Sequence, residues 1–112
     1  MKEAPLALES AALYAAILRE VLGWSEAPAV LLGRRLIEHA AEVAEGCRLA
    51  LAFPSERPVF VAEADFALSR LRTGLAAAEA AGLIAVGAHV RFTESIDEIG
   101  KMVGGWRRSL AE

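Results

Sequence analysis

The chain has 112 residues, enough for one domain with a helical core and too few for two such domains. It is 55% hydrophobic but only 6% aromatic, and this Ala- and Leu-rich composition favours closely packed helices over a β-rich fold. Because 15 acidic residues outnumber 12 basic ones, the formal charge of −3 excludes a general electrostatic attraction for nucleic acid. Any contact with nucleic acid therefore needs a local basic patch.

The apolar stretches are interrupted by Arg, Glu or Asp before the roughly 20 residues that a membrane-spanning helix needs. The first ten residues, MKEAPLALES, lack the cationic, apolar and small-residue order of a secretion signal. We therefore expect a cytoplasmic protein with no membrane segment. No motif suggests a cofactor or a small-molecule substrate.

Helix-breaking residues divide the chain into four helical segments, at about residues 6–22, 28–51, 58–81 and 86–110. Gly23 is a plausible stop after the first segment. Pro28 suits the first turn of the second segment because it lacks a donor that this turn leaves unpaired. Ser55 is the expected cap of the third segment, which stops at Gly82.

Each segment has apolar residues at helical spacing, which predicts one buried face per helix. In the first segment these residues are Leu13, Ile17 and Val21. In the second they are Ile37, Ala40, Ala44, Cys47 and Leu51. In the third they are Phe60, Ala64, Ala67, Leu71, Leu75 and Ala78. The fourth alternates spacings of four and three: Phe92, Ile96, Ile99, Val103, Trp106 and Leu110.

The longer segments, of about 22–24 residues, would each be about 33–36 Å long and so match one another in length. Short connections make helices that follow one another antiparallel. The sequence therefore predicts a single all-α domain over residues 1–112, an antiparallel up-down-up-down four-helix bundle.

Two glycines lie four residues apart inside the fourth segment, Gly100 and Gly104. Each glycine in a helix interior costs about 1 kcal/mol relative to Ala. A groove that lets another backbone approach would offset that cost. The approaching backbone is either a second subunit or another helix of the same chain, and Gly100 and Gly104 are our candidate oligomer interface.

The residue types that carry catalysis or bind metals form no recognisable pattern. Cys47 continues an apolar helix face, which favours a buried thiol over a reactive one. His39 and His89 lack the Glu-x-x-His spacing of metal-binding bundles, so both are expected to face solvent or to be hydrogen-bonded. Three carboxylates cluster on the second helix: Glu38, Glu42 and Glu45. Arginines one helical turn away indicate a solvated, internally paired face, so we expect neither an enzyme nor a metal site.

Three segments carry a family resemblance: AEVAEGCR at 41–48, AEADFALSRLRTGLAAAEAAGLI at 62–84 and EIGKMVGGWRRSL at 98–110. In them the chain resembles the four-helix bundle proteins that include rRNA intervening-sequence proteins and the accessory variability determinants (Avd-like) of diversity-generating retroelements. The positions that fit best in the last two helices are Leu68, Leu71, Leu75, Ala78, Gly82, Glu98, Gly100, Gly104 and Trp106. These are packing residues, so the resemblance implies the fold more directly than the function.

The retroelement accessory proteins form a pentameric barrel whose basic surface engages the reverse transcriptase and its RNA or DNA. The resemblance therefore implies a homo-oligomer, with a pentamer favoured, and both a reverse transcriptase and nucleic acid as partners. This chain departs from that pattern because it is acidic overall.

Five basic residues have an acidic neighbour one helical turn away, which partly neutralises them: Arg34, Arg35, Arg48, Arg91 and Lys101. No such neighbour accompanies Arg70, Arg72 or Arg107, and Arg108 has only the terminal Glu112. These four are the candidate nucleic-acid-binding residues, because a guanidinium group can bind a phosphate bidentately. Arg70 and Arg72 should project about 200° apart. Only a ring of subunits could therefore repeat such residues into a basic band.

The function that follows is a non-enzymatic accessory or scaffold protein, of the retroelement or intervening-sequence type, that assembles as a ring and binds a partner protein with nucleic acid. The alternative is a protein-interaction bundle with no role in nucleic-acid binding.

Overall fold

The computed structural model describes the backbone of residues 3–111 and the side chains of residues 5–111. Helix α1 spans Glu3–Leu22. Helix α2 is a continuous rod over 26–52 with three parts: Glu26–Pro28, a π-helical turn at Ala29–Gly33, and Arg34–Ala52. A 3₁₀ turn, Pro54–Glu56, then leads to α3 (Arg57–Ala80) and α4 (Val86–Ala111). Residues 3–111 contain no strand, and the prediction of an all-α four-helix bundle is confirmed.

Each helix packs against the next one in the chain, and α1 also packs against α4, so the four helices form a closed square in cross-section. The beginning of α3 contacts the end of α4, and the end of α3 contacts the beginning of α4. Asp65 contacts Arg107, whereas Glu79 contacts His89. These two helices are therefore antiparallel. The complete up-down-up-down arrangement stays a prediction.

The buried faces of three helices match the predicted spacing. Leu13, Ile17 and Val21 are buried on α1. On α3 the buried residues include Ala64, Ala67, Leu71, Leu75 and Ala78, whereas Phe60 is only partly buried. On α4 they include Phe92, Ile96, Ile99 and Val103. Local periodicity is thus sufficient to identify the core side of these helices.

The predicted face of α2 is partly wrong. Three of its residues, Ile37, Ala44 and Leu51, are only partly buried, whereas the residues just before them are buried: Leu36, Val43 and Ala50. Because Ala40 and Cys47 are buried as predicted, the centre of the buried face is turned from the predicted stripe by less than the 100° that separates successive residues. Apolar residues occupy both positions of each pair, so spacing alone could not choose between them.

The end of α4 also departs from the prediction. Trp106 is partly rather than fully buried, and Leu110 in the last turn is 37% exposed. The guanidinium carbon of Arg57 lies 5.0 Å from the centroid of the Trp106 ring, so a cation covers the ring where an apolar side chain was expected.

Two of the helix-end predictions have different outcomes. Gly82 has a φ of +76° after α3, and Leu83 N–H donates to the Ala78 carbonyl oxygen at 2.9 Å, so this glycine ends the helix as predicted. Ser55 does not cap α3, because its hydroxyl donates to the carboxylate of Glu56 at 2.8 Å. In the described part of the chain, the helices lack a stretch long and apolar enough to cross a membrane.

Candidate functional site

Two of the four candidate arginines form ion pairs between α3 and α4. Arg72 Nη1 lies 2.8 Å from Asp97 Oδ1, and Arg107 Nη1 lies 2.6 Å from Asp65 Oδ2. All four side chains are about half exposed. These carboxylates partly neutralise the two guanidinium groups, so both would have to exchange a carboxylate for a phosphate in order to bind nucleic acid.

The other two candidate arginines form no ion pair within residues 5–111. Arg70 is exposed on α3. Arg108 is exposed on α4, where its guanidinium nitrogens lie 3.5 Å and 3.7 Å from the positions that Cβ atoms would take at Gly104 and Gly105. The four arginines do not form one compact patch, because Arg70 lies about 200° around α3 from Arg72.

The carboxylate partners could not be found among residues one turn away on the same helix, because they lie on the facing helix. Asp65 and Arg72 are seven residues apart on α3, and Asp97 and Arg107 are ten apart on α4. Matching Asp and Arg positions on two antiparallel helices are a signal that could have indicated this cross-pairing.

The two candidate interface glycines are on open surface. Among the described residues, a Cβ atom at Gly100 would meet nothing within 4 Å, and one at Gly104 would meet only the Arg108 side chain. Packing against another helix of residues 3–111 therefore does not offset the cost of these glycines. Contact with a second subunit at Gly100 and Gly104 stays a prediction.

Close approach of helices occurs instead at three glycines elsewhere: Gly33, Gly46 and Gly74. A Cβ atom at Gly46 would lie 3.0 Å from the Phe60 carbonyl oxygen and 3.1 Å from Ala64 Cβ. One at Gly74 would lie 2.5 Å from a methyl carbon of Leu36. Gly46 and Gly74 therefore let α2 and α3 pack closely together.

A groove runs along the contact between α1 and α4, the loosest of the four helix contacts in the bundle. One cleft in this groove has a volume of about 610 Å³, and its lining residues are Pro5, Leu6, Lys101, Met102, Gly105, Trp106, Arg108 and Ser109. A second cleft, of about 520 Å³, is lined by Leu8, Glu9, Ala12, Leu13, Ala16, Arg19 and Ser95. We call the two clefts together the α1–α4 groove, a feature that the sequence patterns did not predict.

The α1–α4 groove has an apolar floor and a mostly basic rim. Met102 and Trp106, which are only partly buried, provide apolar surface in the first cleft, which contains Lys101 and Arg108 but no acidic residue among its described lining. Small residues widen the groove because they leave space between the helices. Its shape and charge suit an apolar partner surface that carries an acidic group.

A second exposed apolar surface lies where α2 and α3 meet. Val59 and Phe66 on α3 are each 57% exposed, and Phe53 at the start of the turn is 50% exposed. The rings of Phe53 and Phe60 contact each other, with centroids 6.4 Å apart. We call Phe53, Val59 and Phe66 the α2–α3 apolar edge.

The only cysteine, Cys47, is buried as predicted. Burial raises the pKa of its thiol to about 11, and a hydrogen bond with Ser10 opposes part of that increase. At neutral pH the thiol is therefore protonated and enclosed, which makes it a poor nucleophile.

Both histidines are hydrogen-bonded, as predicted. His39 Nδ1 lies 2.8 Å from the carboxylate of Glu42, and His89 Nδ1 lies 3.0 Å from that of Glu79. Arg34 pairs with Glu38 at 3.6 Å on the exposed side of α2. Within the described residues, no three His, Cys, Asp or Glu side chains are grouped closely enough to hold a metal ion.

No protein-family model, no curated protein and no solved structure matches the chain. The resemblance to the four-helix bundle proteins therefore depends on the three sequence segments alone.

Proposed function

We propose that this protein is a non-enzymatic scaffold that assembles into a ring-like homo-oligomer and holds a partner protein. The observation that carries the proposal is the apolar surface left uncovered on the bundle. Exposed aromatic and aliphatic side chains form the α2–α3 apolar edge, and the α1–α4 groove lies on a different side. Exposed apolar patches of this kind mark surfaces that bind other proteins.

The resemblance supports a more specific form of the proposal. In that form the ring is a pentamer, it acts in the cytoplasm, and its partner is the reverse transcriptase of a diversity-generating retroelement together with RNA or DNA. Arg70 and Arg108 support the nucleic-acid part because both are exposed and neither is in an ion pair within residues 5–111. A ring would repeat each of them around its circumference.

A second candidate function is a protein-interaction bundle that does not bind nucleic acid. The ion pairs at Arg72 and Arg107 favour it, because they leave fewer guanidinium groups available for phosphate. The net charge of −3 favours it as well.

Co-purification from the native host, with identification of the bound protein and RNA, tests the proposal. We expect a reverse transcriptase and its template RNA, and light scattering should give the mass of an oligomer, with five subunits favoured. A chain that is monomeric at tens of micromolar and captures no partner protein would contradict the scaffold function.

Fluorescence anisotropy with labelled RNA and single-stranded DNA separates the two candidate functions. We expect weak binding that falls steeply as the salt concentration rises, because binding of this kind depends on counterion release. Arg70→Gln combined with Arg108→Gln should reduce it, and Arg34→Gln with Arg91→Gln is the matched control. Equal binding by both double variants and the wild type would show that Arg70 and Arg108 do not contact nucleic acid, and no binding by the wild type at low salt would favour the function without nucleic acid.

A further inference from the structure

The two clefts of the α1–α4 groove share no lining residue but follow each other along α1. Their lining extends from Pro5 to Arg19 on α1, about 20 Å at 1.5 Å per residue. Ala12, Ala16 and Gly105 contribute small side chains or none, so a second helix could lie close to the backbone of α1 and α4. Met102 and Trp106 would contact its apolar residues.

The α2–α3 apolar edge lies on the opposite side of the same bundle. Since the helices form a closed square in chain order, the contact between α2 and α3 faces away from the contact between α1 and α4. Asp65 points toward α4, where it pairs with Arg107. The next residue, Phe66, is turned a further 100° around α3, outward and toward the side of α2.

The charges are complementary between the first cleft of the groove and the part of the edge around Glu63. On α3 the exposed carboxylate of Glu63 lies between Val59 and Phe66, four residues after one and three before the other. The three form one stripe, which the exposed Arg70 continues one turn after Phe66. The first cleft of the groove has Lys101 and Arg108 on its rim. Asp97, one turn from Lys101, pairs with Arg72 on α3, and Lys101, which also follows Glu98 by three residues, forms no ion pair within residues 5–111.

We propose that the α1–α4 groove of one copy receives the α2–α3 apolar edge of a second copy, in a head-to-tail contact. This inference depends on the proposed self-association and specifies the surfaces that form it. Phe66 and Val59 enter the groove, and Glu63 meets Lys101 on its rim. Because the two surfaces are on opposite sides of the bundle, each copy binds two neighbours, and the assembly closes into a ring or extends as a fibre.

One variant blocks each surface without disturbing the fold. Gly105→Leu fills the first cleft, and among the described residues its Cβ would meet only the Arg108 side chain, at 3.7 Å. Phe66→Gln makes the apolar edge polar at an exposed position. By light scattering after size-exclusion chromatography, each variant should weaken self-association at least about 30-fold, as expected for a central aromatic contact or the pocket that receives it.

Mixing the two variants gives the most specific test. Gly105→Leu retains an intact edge and Phe66→Gln retains an intact groove, so a head-to-tail contact predicts one dimer containing one copy of each. That dimer cannot grow further, because both of its remaining surfaces are blocked. A mixture that stays monomeric, although each variant alone has lost self-association, would overturn the head-to-tail arrangement.

Two control variants distinguish this contact from self-association through a different surface. Leu31→Gln removes an apolar side chain that is 76% exposed and lies outside both surfaces, and it should leave the oligomer unchanged. Gly100→Leu tests the interface predicted from the sequence. Among the described residues, a Cβ atom at Gly100 would meet nothing within 4 Å. Dissociation by Gly100→Leu but not by Gly105→Leu would overturn the inference in favour of that interface.

The remaining outcomes also decide the question. An oligomeric wild type that neither Gly105→Leu nor Phe66→Gln dissociates would overturn the inference and leave the proposed self-association intact. A monomeric wild type would contradict both. If Gly105→Leu abolished capture of the partner protein without changing the oligomer, the groove would belong to that partner and the inference would be wrong.

Discussion

The contact between α2 and α3 and the contact between α1 and α4 are both rich in small residues, yet one is closed and the other is open. Gly46 and Gly74 bring α2 against α3 so closely that a Cβ atom at Gly46 would be 3.0 Å from a backbone oxygen. Arg57 Nε–H also donates to the Ala50 carbonyl oxygen across this contact, at 2.7 Å. Between α1 and α4, by contrast, Ala12, Ala16 and Gly105 line a groove.

The difference shows that a small residue permits close packing but does not produce it. At Gly46 the facing helix presents its own backbone and the small Ala64, so the two surfaces fit. Beside Gly105, none of the described residues of a facing helix fills the space. A larger side chain at Gly46 should therefore lower the free energy of unfolding, whereas a larger side chain at Gly105 should not.

The largest expected effect is that of Gly46→Leu. The new side chain would have to push α3 away from α2, and we expect the free energy of unfolding to fall by about 3 kcal/mol, as for overpacked cores. Urea denaturation followed by circular dichroism measures this change. Gly105→Leu is the matched control, and its stability should be unchanged or raised by up to about 1 kcal/mol. Equal losses in both variants would mean that the two contacts do not differ in solution.

The closed interior can also be tested through Cys47. Burial raises the pKa of this thiol from its ordinary 9.0 to about 11, so the unfolded chain loses the proton first as pH rises. The protonated thiol contributes about 2–3 kcal/mol to the free energy of unfolding below pH 9. This contribution is lost as the pH rises from about 9 to about 11. Urea denaturation at a series of pH values should show this loss in the wild type. Cys47→Ala should lack that part of the pH dependence, and identical profiles would contradict the burial.

The open end of the groove predicts a moderate effect for Trp106→Ala. Truncating a fully buried Trp to Ala lowers the free energy of unfolding by about 3–5 kcal/mol. Because Trp106 is only partly buried beside the groove, we expect a loss of about 2 kcal/mol in the same denaturation assay. Trp106→Phe should retain most of the stability. A loss above about 4 kcal/mol for the alanine variant would indicate that the groove is closed in solution.

The smallest effect should come from the ion pairs between α3 and α4. Arg107 and Asp65 are about half exposed, so solvent screens their attraction and Arg107→Gln should lower stability by only about 0.5 kcal/mol. The double variant of Arg107→Gln and Asp65→Asn completes a thermodynamic cycle that isolates the pair. A coupling energy above about 1 kcal/mol would show that these ion pairs hold the two helices together to a greater extent than their exposure implies.

Local sequence signals were sufficient for the helices and for most of the core. Gly23, Gly82 and the prolines fixed the helix ends, and every predicted bound lies within three residues of the observed one. The apolar spacing of α4 correctly identified Ile96, Ile99 and Val103 as buried. These features depend on residues close together in the chain, so one sequence contains the information that determines them.

The candidate site was less predictable because it depends on which helices face one another. Arg72 and Arg107 lack intrahelical partners, as the sequence indicated, yet both pair with carboxylates on a facing helix. Gly100 and Gly104 stood out by their spacing, whereas helices approach closely at Gly33, Gly46 and Gly74. A helical pattern gives the direction of a side chain but not the residue that lies opposite it.

The sequence by itself determined four amphipathic helices and their lengths, because helix propensity, breakers and periodicity act within a few turns of the chain. Only the tertiary structure decided the rotation of α2, the ion pairs of the arginines and the open α1–α4 groove. Each of these depends on the shape and charge of two helix surfaces brought together across the bundle. In a chain so rich in Ala and Leu, many pairs of surfaces are compatible, and close packing selects among them.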